Sequence, residues 1–166
     1  MDVFYKIAEL KKHGIDVILH CFSYGRPRSK SLEKECLKVY YYRRDLSSFY
    51  LMRRDPFIVL SRKVPELLTN LCKDNHPIIF EGLHCTAYLA DESLSDRFRM
   101  VRTHNIEHLY YDQLSAVEKN IFRKIFYRNE SRKLKKYEQI LEEASVLLAI
   151  SPGDDRDFAS KYGKSI

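Results

Sequence analysis

What this sequence does not contain narrows its reading first. No apolar run approaches the roughly 18 residues of a membrane-spanning helix, which excludes such a helix from it. The opening Asp2-Val3-Phe4-Tyr5-Lys6 reads as the middle of a helix and not as a signal peptide. Cys21, Cys36, Cys72 and Cys85 are widely scattered, with no Cys-x-x-Cys pair of the kind that holds zinc or does redox work. All four read as reduced thiols of a cytosolic protein. Cys21 and Cys85 end apolar runs, where a cysteine behaves as a small buried hydrophobe. There is no Gly-x-x-x-x-Gly-Lys-Ser/Thr loop, ribonucleoprotein signature or zinc-finger spacing. Internal repeats, low-complexity segments and linkers are missing too, so residues 1–166 read as a single domain.

What is present suits a folded chain. Hydrophobic residues make up 45% and charged residues 31%, which supports one core and argues against disorder. The net charge of +6 attracts phosphate groups without choosing among nucleic acid, anionic lipid and nucleotide sugars. A lysine-rich solvated surface explains it equally well.

Along the chain, helix and strand alternate. Val3, Phe4, Ile7 and Leu10 recur at helical spacing, and Gly14 stands where a helix cap belongs. Strands are expected near residues 15–22, 37–42, 77–81, 98–103 and 145–150. Between them, 56–72 reads as a helix that Pro65 must kink or split. A short helix is expected at 86–90, a long one at 115–144 and a last one at 152–161. Strands separated by helices predict an α/β protein with a doubly wound parallel sheet. Functional residues of such sheets gather after the carboxyl ends of strands.

That rule selects His104, directly after the fourth strand, where an imidazole can donate to a sugar hydroxyl or a phosphate. A loop histidine bonded to nearby backbone is the plain alternative. The same stretch spells His104-x-x-Glu107-His108, a pattern of zinc peptidases, but the preceding strand should leave His104 off the helix that this chemistry requires. After the third strand, Gly82 would let backbone approach a ligand closely, and Glu81 would accept from sugar hydroxyls, with His84 beside them. Ser151 and Pro152 open the last helix, where Ser151 caps it and free amides can hold an anion. Lys124, Arg128, Arg132 and Lys136 form a basic row at i, i+4 spacing: a solvated face, or a contact for membrane or polyphosphate. Phe122, Ile125 and Phe126, then Leu134, Tyr137 and Leu141, supply the apolar side. Tyr40-Tyr41-Tyr42 and Tyr110-Tyr111 are read as packing.

Three runs taken together resemble one family. Val101-Arg102-Thr103-His104-Asn105-Ile106-Glu107-His108, then Lys135-Lys136-Tyr137-Glu138, then Leu148-Ala149-Ile150-Ser151-Pro152-x-Asp154, are similar in order and spacing to the N-terminal domain of family 4 retaining glycosyltransferases. The resemblance covers nearly the whole chain. It implies the GT-B build, with two Rossmann-like domains facing across a cleft. The N-terminal one receives a glycan or lipid-linked acceptor, the C-terminal one the nucleotide-sugar donor. It implies retaining hexosyl transfer in polysaccharide biosynthesis without a bound metal or cofactor. His104 would touch the transferred sugar, and Glu81, Gly82, His84, Asn105 and Ser151 would line the substrate side. A cytoplasmic place, with the inner membrane face as one option, would follow.

Two departures accompany it. The family begins with a strand and a glycine-rich loop before the helix that matches residues 3–13, and this chain starts inside that helix. The sheet is therefore expected to lack its first strand. The chain also stops at Ile166, before the family's donor domain, so no transfer is expected from it alone. The rivals are a non-catalytic binding domain for acidic glycan or anionic membrane and a basic nucleic-acid-binding protein.

Overall fold

Five short strands form among the described residues, and every pairing among them is parallel. The computed structural model describes residues 2–103, 106–149 and 160–163. The protein is a mixed α/β chain whose contacts divide it into two compact units, residues 1–45 and 46–166.

The first unit runs α1 (Asp2–Lys12), β1 (Ile18–Phe22), α2 (Lys30–Glu35), β2 (Lys38–Tyr42). Gly14 ends α1 as expected: at φ +75 it takes the left-handed conformation that costs glycine nothing. There its N–H donates to the Lys11 carbonyl at 3.0 Å, and that of Ile15 to the Leu10 carbonyl at 3.0 Å. Helix α2 was not expected. Ser29 caps it, its Oγ accepting from the Leu32 N–H at 3.4 Å, and Lys30-Ser31-Leu32-Glu33-Lys34-Glu35 is rich in helix formers. Ile18 lies opposite Lys38 and Phe22 opposite Tyr42. The tyrosine-rich strand packs as expected: Tyr42 is buried, its hydroxyl is 2.8 Å from His20 Nδ1, and the His20 ring stacks on Tyr40 at 4.9 Å.

The second unit holds α3 (Phe57–Leu60), α4 (Pro65–Leu71), β3 (Ile78–Glu81), β4 (Arg99–Thr103), α5 (Glu107–Val117), α6 (Ile121–Tyr137) and β5 (Val146–Ala149). Its sheet order is β3-β4-β5, with Ile78 opposite Arg99 and Met100 opposite Val146. Val101 and Leu147 are fully buried, and with Leu89, Leu94 and Leu134 they form the centre of the core. Burying such side chains supplies about 1.5–3 kcal/mol each. Ile78 and Phe80 point inward, while Ile79 between them is exposed. Pro65 splits the helix as expected, by sitting at the first position of α4, where its missing N–H is harmless.

Two helical expectations change. Residues 86–90 form no helix; a 3-10 turn at Leu83–Cys85 precedes them, and Thr86 Oγ1 donates to the Leu83 carbonyl at 2.7 Å. The long helix of 115–144 is broken. Glu118 is extended and Asn120 caps α6, its Oδ1 accepting from the N–H groups of Phe122 at 3.0 Å and Arg123 at 3.1 Å. The tail of that stretch, Glu138–Glu143, tightens to 3-10 geometry. Most of the expected helix at 152–161 lies outside the described residues, of which 160–162 are helical.

The cysteines are all free thiols. Cys36 is the buried one, whereas Cys21 and Cys85, expected as buried hydrophobes, are half-buried. Burial pushes the Cys21 and Cys36 thiols up, away from reactive thiolate character.

Buried charges bind the second unit together. Glu130, on α6 and fully buried, accepts from the Phe57 N–H at 2.6 Å and so holds the start of α3. Lys133 Nζ stands 2.9 Å from its other oxygen, an ionic contact too poorly aligned for a hydrogen bond. Arg97 joins Asp74, at 2.9 Å, to the carbonyls of Leu71 and His76.

Candidate functional site

The carboxyl ends of β3 and β4 converge on a cluster of paired charges. Glu81 ends β3 opposite Arg102 of β4, and its Oε2 lies 3.3 Å from Arg102 Nη1. Gly82 follows at φ +83, a conformation that strains any side chain, and its N–H donates to the Arg102 carbonyl at 2.8 Å. The glycine thus turns the chain while prolonging the ladder. Glu81, read as an acceptor for sugar hydroxyls, is already held in an ion pair, though its side chain keeps 23% exposure.

His84 comes next, in the 3-10 turn. Its Nδ1 is buried and stands 3.7 Å from Glu107 Oε1, beyond hydrogen-bond length, so the pairing is ionic. Burial works against its charge, as does Arg62, but the Cys85 and Glu107 side chains outweigh both and push the imidazole up to about 9. Near neutral pH it is therefore an imidazolium. Glu107 supplies the counter-charge from the first position of α5, where the helix dipole favours a carboxylate.

A second set of contacts gathers around Tyr137 and Glu138, at the end of α6. The Tyr137 hydroxyl donates to the Thr86 carbonyl at 3.2 Å and lies 3.2 Å from Thr86 Oγ1. Burial pushes this phenol up to about 12, so it stays a neutral donor. Buried Glu138 meets His108 Nδ1 at 3.0 Å and Lys161 Nζ at 3.0 Å, and its carbonyl accepts from the Tyr162 hydroxyl at 3.2 Å. The end of α6 is thereby fastened to the segment after β3 and to the first turn of α5.

Among the expected residues, then, Glu81, Gly82 and His84 share one edge of the sheet. His104, Asn105 and Ser151 lie outside the described residues. Helix α5 begins at Glu107, three residues past His104. Lys124, Arg128, Arg132 and Lys136 are all exposed on α6. Of the apolar side proposed for that helix, Leu134 is buried, but Phe122 and Ile125 are 81% and 60% exposed. They sit in its first turns, next to the break at Asn120.

Sequence reasoning did not single out Arg102 or Glu107 as partners for Glu81 and His84. The pairing of Arg102 with Glu81 follows from parallel register, which no local pattern encodes. Glu107 had a signal: an acid at the first position of a helix that follows a strand. The cluster can offer a charged donor in His84 and carboxylate acceptors to a polar ligand such as a sugar, at a sheet edge where such ligands bind. No protein-family model, curated protein or solved structure matches the chain.

Proposed function

We propose that this chain is the acceptor-side domain of a retaining glycosyltransferase of GT-B build, with His104, Glu81, Gly82, His84, Asn105 and Ser151 facing the sugar substrates. A Rossmann-like, doubly wound sheet is the finer fold that goes with it. The observation that supports this reading most is the anchoring of Tyr137 and Glu138. This Tyr-Glu pair of the resemblance ties the end of α6 to Thr86 and His108, beside the strand ends where a sugar would lie. A nucleotide-sugar donor would be held mainly by a separate donor domain, and no metal is needed. His104 would donate to the transferred sugar or departing phosphate as charge develops there.

Titrating isotope-labelled protein with oligosaccharide acceptors tests this. Amide shifts should concentrate at residues 81–84 and 102–108. Nucleotide sugars should bind no more tightly than about 1 mM, or about −4 kcal/mol. Micromolar affinity for UDP- or GDP-sugars, or glycan shifts confined to other surfaces, would overturn the assignment.

A membrane role has its own observation. Val117, Ile121, Phe122 and Ile125 are 76%, 59%, 81% and 60% exposed around the junction of α5 and α6. Lys119, Arg123 and Lys124 stand among them, also exposed. Apolar side chains ringed by cations suit an anionic bilayer surface. Flotation with phosphatidylglycerol vesicles should carry the protein, and Phe122→Ser with Ile125→Ser should abolish it. Equal flotation of that variant would refute the membrane role.

A further inference from the structure

We propose that a second site, a basic cleft at the far end of α6 from Phe122, binds a small organic phosphate. The cleft has a volume of about 700 Å³ and is walled by residues 54–63, the turn at 87–91 and residues 133–140. That size suits a small-molecule ligand. Neither Glu81 nor His84 lines this cleft, and Tyr137 is the one residue it shares with the proposed glycosyl-transfer site.

Its cations differ in how far they are already engaged. Lys133 is committed: its Nζ donates to the Leu51 carbonyl at 3.0 Å and meets buried Glu130 at 2.9 Å. Arg54, Lys63 and Lys136 are exposed. Lys63 leans over the Tyr88 ring at 5.8 Å, while Arg54 and Lys136 make no hydrogen bond or ion pair with any described residue. Of the two lining carboxylates, Asp91 is occupied as a helix cap, its Oδ1 accepting from the Ser93 N–H at 3.1 Å and Oγ at 2.6 Å. Asp55 is the other.

Asp55 and Asp91 offset two of the three uncommitted cations, which leaves one excess positive charge in the lining for an anionic ligand. A phosphate monoester supplies the negative charge, and its oxygens suit a guanidinium fork with two ammonium groups. Apolar surface from Leu60 and Ile140 shares the lining and suits an organic body attached to the phosphate. A neutral sugar would form no ion pair with Arg54 or Lys136.

Calorimetry of the whole chain with a hexose 6-phosphate, with inorganic phosphate and with phosphatidic acid vesicles tests the site. Two charge-matched variants are compared: Arg54→Gln with Lys136→Gln inside the cleft, and Arg26→Gln with Lys30→Gln, exposed cations of the first unit, outside it. The hexose phosphate should bind with Kd below about 1 mM, and more tightly than inorganic phosphate. The cleft variant should weaken it at least tenfold, and the control less than twofold. If the phosphate belongs to a lipid headgroup, the same contrast will appear with vesicles and not with the soluble ester. Equal weakening by both variants would reduce the effect to general charge attraction and overturn the proposal, as would binding of none of the three probes below about 10 mM.

Discussion

Removing the Glu130 carboxylate should be among the most damaging single changes in the second unit. Its side chain is 1% exposed and has two tasks, accepting from the Phe57 N–H at 2.6 Å and facing Lys133 at 2.9 Å. Glu130→Ala leaves the Phe57 amide without its acceptor, about 1–3 kcal/mol for a buried group. It also strands Lys133, 12% exposed, without its counter-charge. Breaking a buried pair from one side costs about 3–5 kcal/mol, a range that includes part of the first loss. Taking 3–5 kcal/mol as the total, the melting temperature should fall by roughly 6–20 °C at the usual 2–4 °C per kcal/mol. Glu130→Gln keeps one acceptor and the volume, so it should cost less, about 1.5–3 kcal/mol. Adding Lys133→Met to Glu130→Ala should recover part of the loss, since no unpaired charge then remains. Urea denaturation of the four proteins gives each value. A cost below 1 kcal/mol for Glu130→Ala, or no recovery in the double variant, would show that the reasoning from burial and charge is wrong.

Other expectations can be checked more briefly. The His84 imidazole should titrate near pH 9 by NMR, and Glu107→Gln should lower that midpoint; a midpoint near 6.5 in the parent would refute the ionic pairing. Because its folded value lies above the ordinary 6.5, the stability it contributes should be complete below about pH 6.5 and lost as pH rises through 9. Gly14→Ala should cost about 1–2 kcal/mol, all of it backbone strain at φ +75, since nothing lies within 4 Å of an added Cβ; a neutral effect would contradict the cap geometry. On the proposed reading, His104→Ala in a transferase that contains this domain should lower turnover roughly 10²- to 10³-fold with a nearly unchanged melting temperature; normal turnover would remove His104 from the site.

Strand positions were legible because parallel strands buried in a core carry continuous β-branched and apolar residues. Ile78-Ile79-Phe80 and Val146-Leu147-Leu148 each sit within the expected range. Helix ends were harder. The apolar period runs on through Glu118 and Lys119, and only the side chain of Asn120, folding back onto two amides, starts a new helix. At the site, Gly82 announced its turn, but the charge pairs did not announce themselves. Arg102 meets Glu81 across 21 residues and His108 meets Glu138 across 30, distances that only tertiary packing closes. The state of His84, which the sequence presents as an ordinary loop histidine, is set by the Cys85 and Glu107 side chains against the effect of burial.

The strand register also sets a timetable for folding. Ile18 pairs with Lys38 and Ile78 with Arg99, closures spanning 38 − 18 = 20 and 99 − 78 = 21 residues. Met100 pairs with Val146, a span of 146 − 100 = 46 residues that contains both α5 and α6. By chain length alone that last closure costs only about 0.7 kcal/mol more in entropy, but the segment it closes must also order α5 and α6, so we expect β5 to pair late. Contacts made late in folding raise the unfolding rate when removed and leave refolding almost untouched. Leu147→Ala should therefore shorten the lifetime of the native second unit with little change in its refolding rate, and slowed refolding would place β5 in the nucleus instead.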